Sequence, residues 1–234
     1  LPRNSMNPRI ALTAAAACIL AAPAAIQAQT CTGTASFSAG SMRLGAAGSF
    51  TDGAKTYSGT FAVGATQGLF ASATAAQISY DSQGGTSTEF GVSAGYSIGL
   101  GSSAEFCPIL SYAHTAFPNA TFAGATITSD ENDFSFGGSL GVATVATPSV
   151  TFKPFVSAQY FHSTVSEHST VLGPADMNYD YGLLGVGVGV IVNKCVTILP
   201  GIAQPVGLKG AKIAYNIGVA VNFGHLGAAA MRTH

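Results

Sequence analysis

The stretch Tyr215-Asn216-Ile217-Gly218-Val219-Ala220-Val221-Asn222-Phe223 decides how this chain is read. Tyr215, Ile217, Val219, Val221 and Phe223 fall on one side of a period-two ladder, with Asn216, Gly218, Ala220 and Asn222 on the other, which is the pattern of a β-strand. The second side is small, not charged. A strand of a water-bathed sandwich would carry Lys, Glu and Thr there. The lumen of a narrow barrel instead takes small side chains, and the large apolar face then looks at lipid.

Working outward, the same contrast recurs. Phe90, Val92, Ala94, Tyr96, Ile98 and Leu100 alternate with Glu89, Gly91, Ser93, Gly95, Ser97 and Gly99, and Phe134, Phe136, Leu140 and Val142 stand opposite Ser135, Gly137, Ser139 and Gly141. Ten such segments are predicted, at about 34–48, 56–66, 69–80, 87–100, 104–115, 133–146, 150–163, 180–192, 195–205 and 211–223. Together they predict an all-β chain, an antiparallel up-and-down transmembrane β-barrel of ten strands. Eight strands, with residues 34–66 partly periplasmic, is the alternative.

The connections alternate in length. Thr66 to Gly68, Gly101 to Ser103, Thr147 to Ser149 and Asn193-Lys194 read as tight turns, and Asp81 to Thr86, Ala116 to Asn132 and Ser163 to Tyr179 as longer polar loops. Short periplasmic turns and long outer loops are the rule for outer-membrane barrels. Asp52, Asp81, Asp130, Glu131, Asp133, Glu167, Asp176 and Asp180 all fall in or beside the outer connections. Tyr57, Tyr80, Phe90, Tyr112, Phe134, Tyr160, Tyr181 and Tyr215 are expected to form an outer aromatic girdle. Phe70, Tyr96, Phe106, Phe152 and Phe223 would form an inner one.

Composition agrees. Only 8% of the 234 residues are charged, against about a quarter in an ordinary soluble domain. After the first thirty residues no apolar run reaches the roughly 18 residues of a spanning helix. A net charge of −1 without a basic cluster argues against a nucleic-acid partner. Met6-Asn7-Pro8-Arg9, the apolar run Ile10 to Ile26 and Gln27-Ala28-Gln29 have the three regions of a secretory signal peptide. Cleavage after Ala28 would divide the chain into a leader over 1–28, the barrel over 29–223 and a short periplasmic tail over 224–234. The mature chain then keeps Cys31, Cys107 and Cys195. Export permits a disulfide, but three is an odd number, and spacings of this length match no zinc or redox motif.

With this pattern the chain resembles the small bacterial outer-membrane β-barrel proteins, the broad superfamily of OmpA-like and opacity-type barrels. The most specific match is the terminal Tyr215-x-Ile217-x-Val219-x-Val221-x-Phe223, which looks like the signal read by the outer-membrane assembly machinery. The tail from Gly224 to His234 departs from the family, which usually ends at the aromatic. The resemblance implies a location in a Gram-negative-type outer membrane, contact with its lipid, insertion by that machinery and a monomer with periplasmic termini. The Cys31 and Cys107 pair and the phrase Phe50-Thr51-Asp52-Gly53-Ala54 look like features of a barrel subgroup. Cys31, just before the first strand, and Cys107, at the inner end of the fifth, are a possible disulfide that would tie the N-terminal segment across or beneath the lumen. Cys195 lies at the same rim as a competing partner.

Enzymatic chemistry finds little footing. Gly91-x-Ser93-x-Gly95 and Gly137-x-Ser139-x-Gly141 match a hydrolase string, yet both lie inside strands rather than at a strand-to-helix elbow. Gly185-x-Gly187-x-Gly189 lacks the helix of a dinucleotide site. His114 and His162 take the lipid-facing parity near outer strand ends, and His168, beside Glu167, is in a loop. No catalytic residue, cofactor or metal is assigned, and an outer-membrane hydrolase or acyl-chain enzyme ranks third. Four charges are expected to face the lumen, Arg43, Glu89, Glu105 and Lys153, because Arg or Lys at mid-membrane costs about 2–4 kcal/mol. Glu105 and Lys153, at the inner rim, are placed to form an ion pair. Two functions follow: a structural or surface-contact barrel with a mostly filled lumen, or a narrow passive channel for ions or small solutes.

Overall fold

The computed structural model describes residues 31, 33–66, 68–81, 85–122, 125–170 and 173–223. The leader, its cleavage site and the tail lie outside the described residues. Ten strands form a ring: β1 (Met42–Thr51), β2 (Ala54–Gly64), β3 (Leu69–Tyr80), β4 (Thr86–Tyr96), β5 (Ala104–Ala116), β6 (Ala125–Val142), β7 (Val150–Ser169), β8 (Gly173–Val192), β9 (Val196–Val206) and β10 (Ala214–Phe223). Each pairs antiparallel with its sequence neighbours. β1 closes the ring on β10, from Met42↔Phe223 to Phe50↔Tyr215. Three short strands, Ile98–Leu100, Ala120–Phe122 and Thr144–Thr147, lie off this ring. The end holding Met42 and Phe223 is called the terminal end below, and the opposite one the hairpin end.

The register sets the bore. Paired residues run from Val192 through Val196, Val221, Leu44, Phe61, Ala73, Val92, Tyr112, Phe134 and His162 back to β8 at Asp180, twelve residues from the start. Twelve residues of stagger at about 3.3 Å each, spread over ten strands about 4.8 Å apart, tilt the strands by about 40° and give a backbone radius of about 10 Å. Closure leaves no strand edge to be stranded in hydrocarbon.

The parity read from the sequence holds. Tyr215, Ile217, Val219 and Phe223 are exposed outward, as are Phe90, Val92, Tyr96, Phe134, Phe136 and Leu140, while Ala214, Asn216 and Ala220 are buried inward. Four readings need correction. Residues 34–41 are not the start of the first strand: a turn at Ser38–Ser41, closed by Ser41 N–H donating to Ser38 O (3.0 Å), ends them before β1. Its Gly40 sits at φ +71°, a left-handed position that suits glycine. Strands β6, β7 and β8 extend into what read as loops, to 18, 20 and 20 residues. Phe70 and Tyr181, expected in the girdles, are buried on the inner face, and Tyr80 shares the inward parity. Glu131 and Asp133, expected outside, are also buried there, because they continue the inward parity of Ser135 and Ser139.

The lumen face is therefore uneven. From β1 to β5 it is mostly small or polar, with Ser49, Thr56, Ser58, Ala62, Ser72, Thr74 and Ser111 buried beside the larger Phe70, Ile78 and Ile109. From β7 to β9 it carries Phe155, Phe161, Val165, Tyr181, Leu183, Ile191 and Leu199. The large half fills toward the small one.

Candidate functional site

At the terminal end the lumen is crossed by the chain itself. Cys31 is joined to Cys107 on β5 by a disulfide, and Gly33–Ser38 then cross toward β1 as a strap. β5 and β1 are four strands apart on a ring of ten, so the strap spans a chord of about 19 Å at this radius, within reach of a short extended segment. Its contacts come from all round the wall. Gly33 lies against Phe155 of β7, Leu199 of β9 and Gly189 of β8. Lys153 Nζ donates to Thr34 O at 3.0 Å, and an Arg43 guanidinium N–H donates to Ala35 O. Ser36 Oγ donates to Glu105 at 2.8 Å. Phe37 stacks on Phe70 with ring centroids 4.6 Å apart, and the Arg43 guanidinium lies 4.0 Å from the Phe37 ring centre.

Two glycines serve as seats. A Cβ on Gly189 would overlap the Gly33 carbonyl, and one on Gly64 would overlap the Ser38 carbonyl. Arg43, Glu105 and Lys153 are 4%, 6% and 3% exposed. Lys153 forms an ion pair with Glu105, which also accepts from Ser97, and Arg43 Nε donates to Asn222 Oδ1 at 2.6 Å. A cavity of about 40 Å³ remains between Thr34, Arg43 and the Gly45, Thr60, Leu199 and Gly218 wall. On the other side of the strap a basin of about 400 Å³, edged by Ser97, Gly101, Ser102 and Ser103, opens at the terminal end.

The hairpin end has a different chemistry. Glu89 of β4 and Glu131 of β6 both stand opposite Thr115 of β5, and Asp133 is the next inward residue of β6. Tyr179 donates to Glu131 and Ser163 to Asp133. Phe161 and Tyr181 stack at 4.8 Å, Tyr179 continues the stack at 6.0 Å, and Leu208 packs against this cluster. Glu89 and Glu105 thus sit at opposite ends of the lumen, too far apart to act as a glycosidase pair.

Among the described residues, the outward-facing histidines lie toward the hairpin end. His162 Nδ1 lies 2.8 Å from Asp180 Oδ1 on the surface, and His114 Nδ1 lies 3.0 Å from Asn132 Oδ1. Ser93 bonds Ser72 at 2.5 Å in mid-strand, not at a strand-to-helix elbow. Cys195 is exposed in the β8–β9 turn and unbonded to Cys31 or Cys107. The five residues Tyr215, Ile217, Val219, Val221 and Phe223 form the outer face of the closing strand.

Sequence reasoning placed an N-terminal segment tied across or beneath the lumen by a Cys31–Cys107 bridge, but took residues 34–41 for strand rather than for that crossing, and it missed the Glu131–Asp133 pair. Gly40 signals the first, as a break between two alternating runs. Counting back by twos from Ser135 signals the second.

No protein-family model matches the chain, and no curated protein is similar to it in sequence. Solved structures similar to it include the translocator domain of autotransporter NalP from Neisseria meningitidis, at 13% identity over 78% of this chain and 87% of that one, with a TM-score of 0.48. The N-terminal β-barrel domain of Pseudomonas aeruginosa OprF is 12% identical over 79% and 98%, at a TM-score of 0.37. The attachment invasion locus protein Ail of Yersinia pestis is 12% identical over 78% and 97%, at 0.39. A closed ten-stranded ring with an apolar outer face makes this chain a small β-barrel of the outer-membrane type.

Proposed function

We propose that the protein is an exported, monomeric barrel of a Gram-negative-type outer membrane, with the terminal end in the periplasm, and that it works by surface contact through its hairpin end. The observation that carries this reading is the overhang of β6, β7 and β8. Their outward apolar residues run from Phe134 to Val142, Phe152 to Tyr160 and Leu184 to Val192, about nine residues each, which at this tilt matches an apolar band about 25 Å tall. Beyond it their outward residues are polar: Asp130 and Asn132, then His162, Thr164, Ser166 and His168, then Asp176, Asn178 and Asp180. Eight more residues per strand raise this sheet about 20 Å above the band. No Lys or Arg stands between Ala116 and Asn132 or between His162 and Tyr181, so the overhang suits a cationic partner.

The strap across the terminal end supports a lumen that is closed while the sheet does its work. The test compares cells displaying the full barrel with cells whose β5–β6 and β7–β8 hairpins are cut to tight turns at the His114–Asn132 and Ser163–Tyr179 levels. Adhesion to a surface coated with a cationic polypeptide should fall at least tenfold, with the barrel still folded on a gel. Equal adhesion of the two, or steady ion conduction by the intact barrel, overturns the reading.

A further inference from the structure

We propose that the strap is a latched plug, and that the barrel passes small hydrated ions once a dithiol reductant supplies the two electrons and two protons that take the Cys31–Cys107 disulfide to two thiols, leaving as its own disulfide. The strap has two attachments to the wall along the chain: its continuation into β1 and the disulfide. While both hold, it is a bridge, and loss of its hydrogen bonds cannot take it out of the lumen. With the disulfide gone it becomes an arm with one fixed end. The hinge is at Gly40, whose φ of +71° is free of steric cost and around which a Cβ would meet nothing within 4 Å.

Everything else that holds the strap is reversible. Lys153, Arg43, Glu105 and the Gly68 N–H, which donates to Phe37 O at 3.1 Å, hold it by hydrogen bonds, and Phe37 is its one large side chain. Swinging it aside uncovers the Gly189 and Gly64 seats and joins the small cavity to the terminal basin. Past the strap, Thr56 Oγ1, Ser58 Oγ, Thr115 Oγ1, Asn216 Oδ1 and both amide atoms of Gln159 have no hydrogen-bond partner among the described residues. Buried groups of this kind are met by water, so the wall beyond the plug has the chemistry of a wetted path. Glu89, Glu105, Glu131 and Asp133 against Arg43 and Lys153 make that path cation-preferring.

The test is planar-bilayer recording on the folded chain from Gln29, all variants in a Cys195→Ser background so that no third thiol can re-pair. The latched protein should be silent. Cys31→Ser/Cys107→Ser should give discrete cation-selective steps, with open time at least tenfold higher, and a variant lacking residues 29–38 should stay open. Folding of each is checked by its gel shift on boiling. Equal conduction by latched and unlatched protein would show that the strap is no plug. Silence of both folded variants would show that there is no path, and silence of the serine variant beside an open strapless one would show that the disulfide is not what holds the plug. Any of the three overturns the proposal.

Discussion

Replacing Lys153 by Met removes the cation that Glu105 faces in the lumen while nearly keeping the side-chain volume. Two interactions are lost, the ion pair with Glu105 and the bond to Thr34 O. Breaking a buried pair from one side costs about 3–5 kcal/mol, because the remaining charge stays buried and uncompensated. Glu105 keeps hydroxyl donors from Ser36 and Ser97, each a bond to a charged group that offsets about 1.5–3 kcal/mol in favourable geometry. The expected loss is therefore at the low end, about 3 kcal/mol. Equilibrium urea unfolding in lipid vesicles, followed by tyrosine fluorescence, measures it. Lys153→Met/Glu105→Gln, which removes both charges, should regain most of that loss. A single variant within 1 kcal/mol of wild type, or a double variant as unstable as the single, would show that the pair is too well hydrated to matter and would refute the packing of the strap around it.

The other predictions concern the strap seat and the membrane face. Gly189→Ala puts a methyl where the Gly33 carbonyl lies; overpacking of this kind costs about 1–3 kcal/mol, and limited proteolysis should then cut within residues 33–41, which the wild type protects. Val219→Arg, at the centre of the outward face of β10, should cost about 2–4 kcal/mol in vesicle unfolding, whereas Thr164→Arg on the overhang should cost under about 1 kcal/mol. Equal costs would place the apolar band elsewhere. The unboiled protein should run differently from the boiled one on a denaturing gel, and identical mobility together with a helical circular-dichroism spectrum would contradict the barrel.

Much of the barrel was legible because its signal is strictly local. A strand between lipid and lumen shows its two surroundings at successive residues, so Phe90 against Glu89, or Phe134 against Ser135, is enough to orient it. A bridge tying the N-terminal segment across the lumen could be read from Cys31 and Cys107, but that residues 33–38 are the crossing, and not strand, was not legible for the same reason. Thr34, Ser36 and Ser38 alternate with Ala35 and Phe37 as any extended chain would, and period two does not say whether an extended segment pairs with a neighbour or crosses a cavity. The overhang was hidden by composition. Once β7 leaves the lipid, its outward residues become Thr164, Ser166 and His168, and a strand polar on its outer side reads as a loop. Glu131 and Asp133 suffered from the same bias, since acids beside Asp130 suggest solvent unless their parity is followed. Bore size depended on the register of all ten strands, which no single segment carries.

The seam between β1 and β10 bears on how the molecule is made. Met42 and Phe223 come from opposite ends of the described chain, and nine consecutive pairs join their strands. Until the last strand arrives, the other nine form a curved sheet with two raw edges, which hydrocarbon does not tolerate. No sequence of stable smaller barrels leads to the final one, so insertion and ring closure must be completed as one event that waits for residues 214–223. The strap adds a further condition on timing, since Gly33–Ser38 have to be drawn inside before the wall shuts or threaded through the terminal opening afterwards. The strand that begins at Met42 and the strand that ends at Phe223 must therefore meet before either is in place.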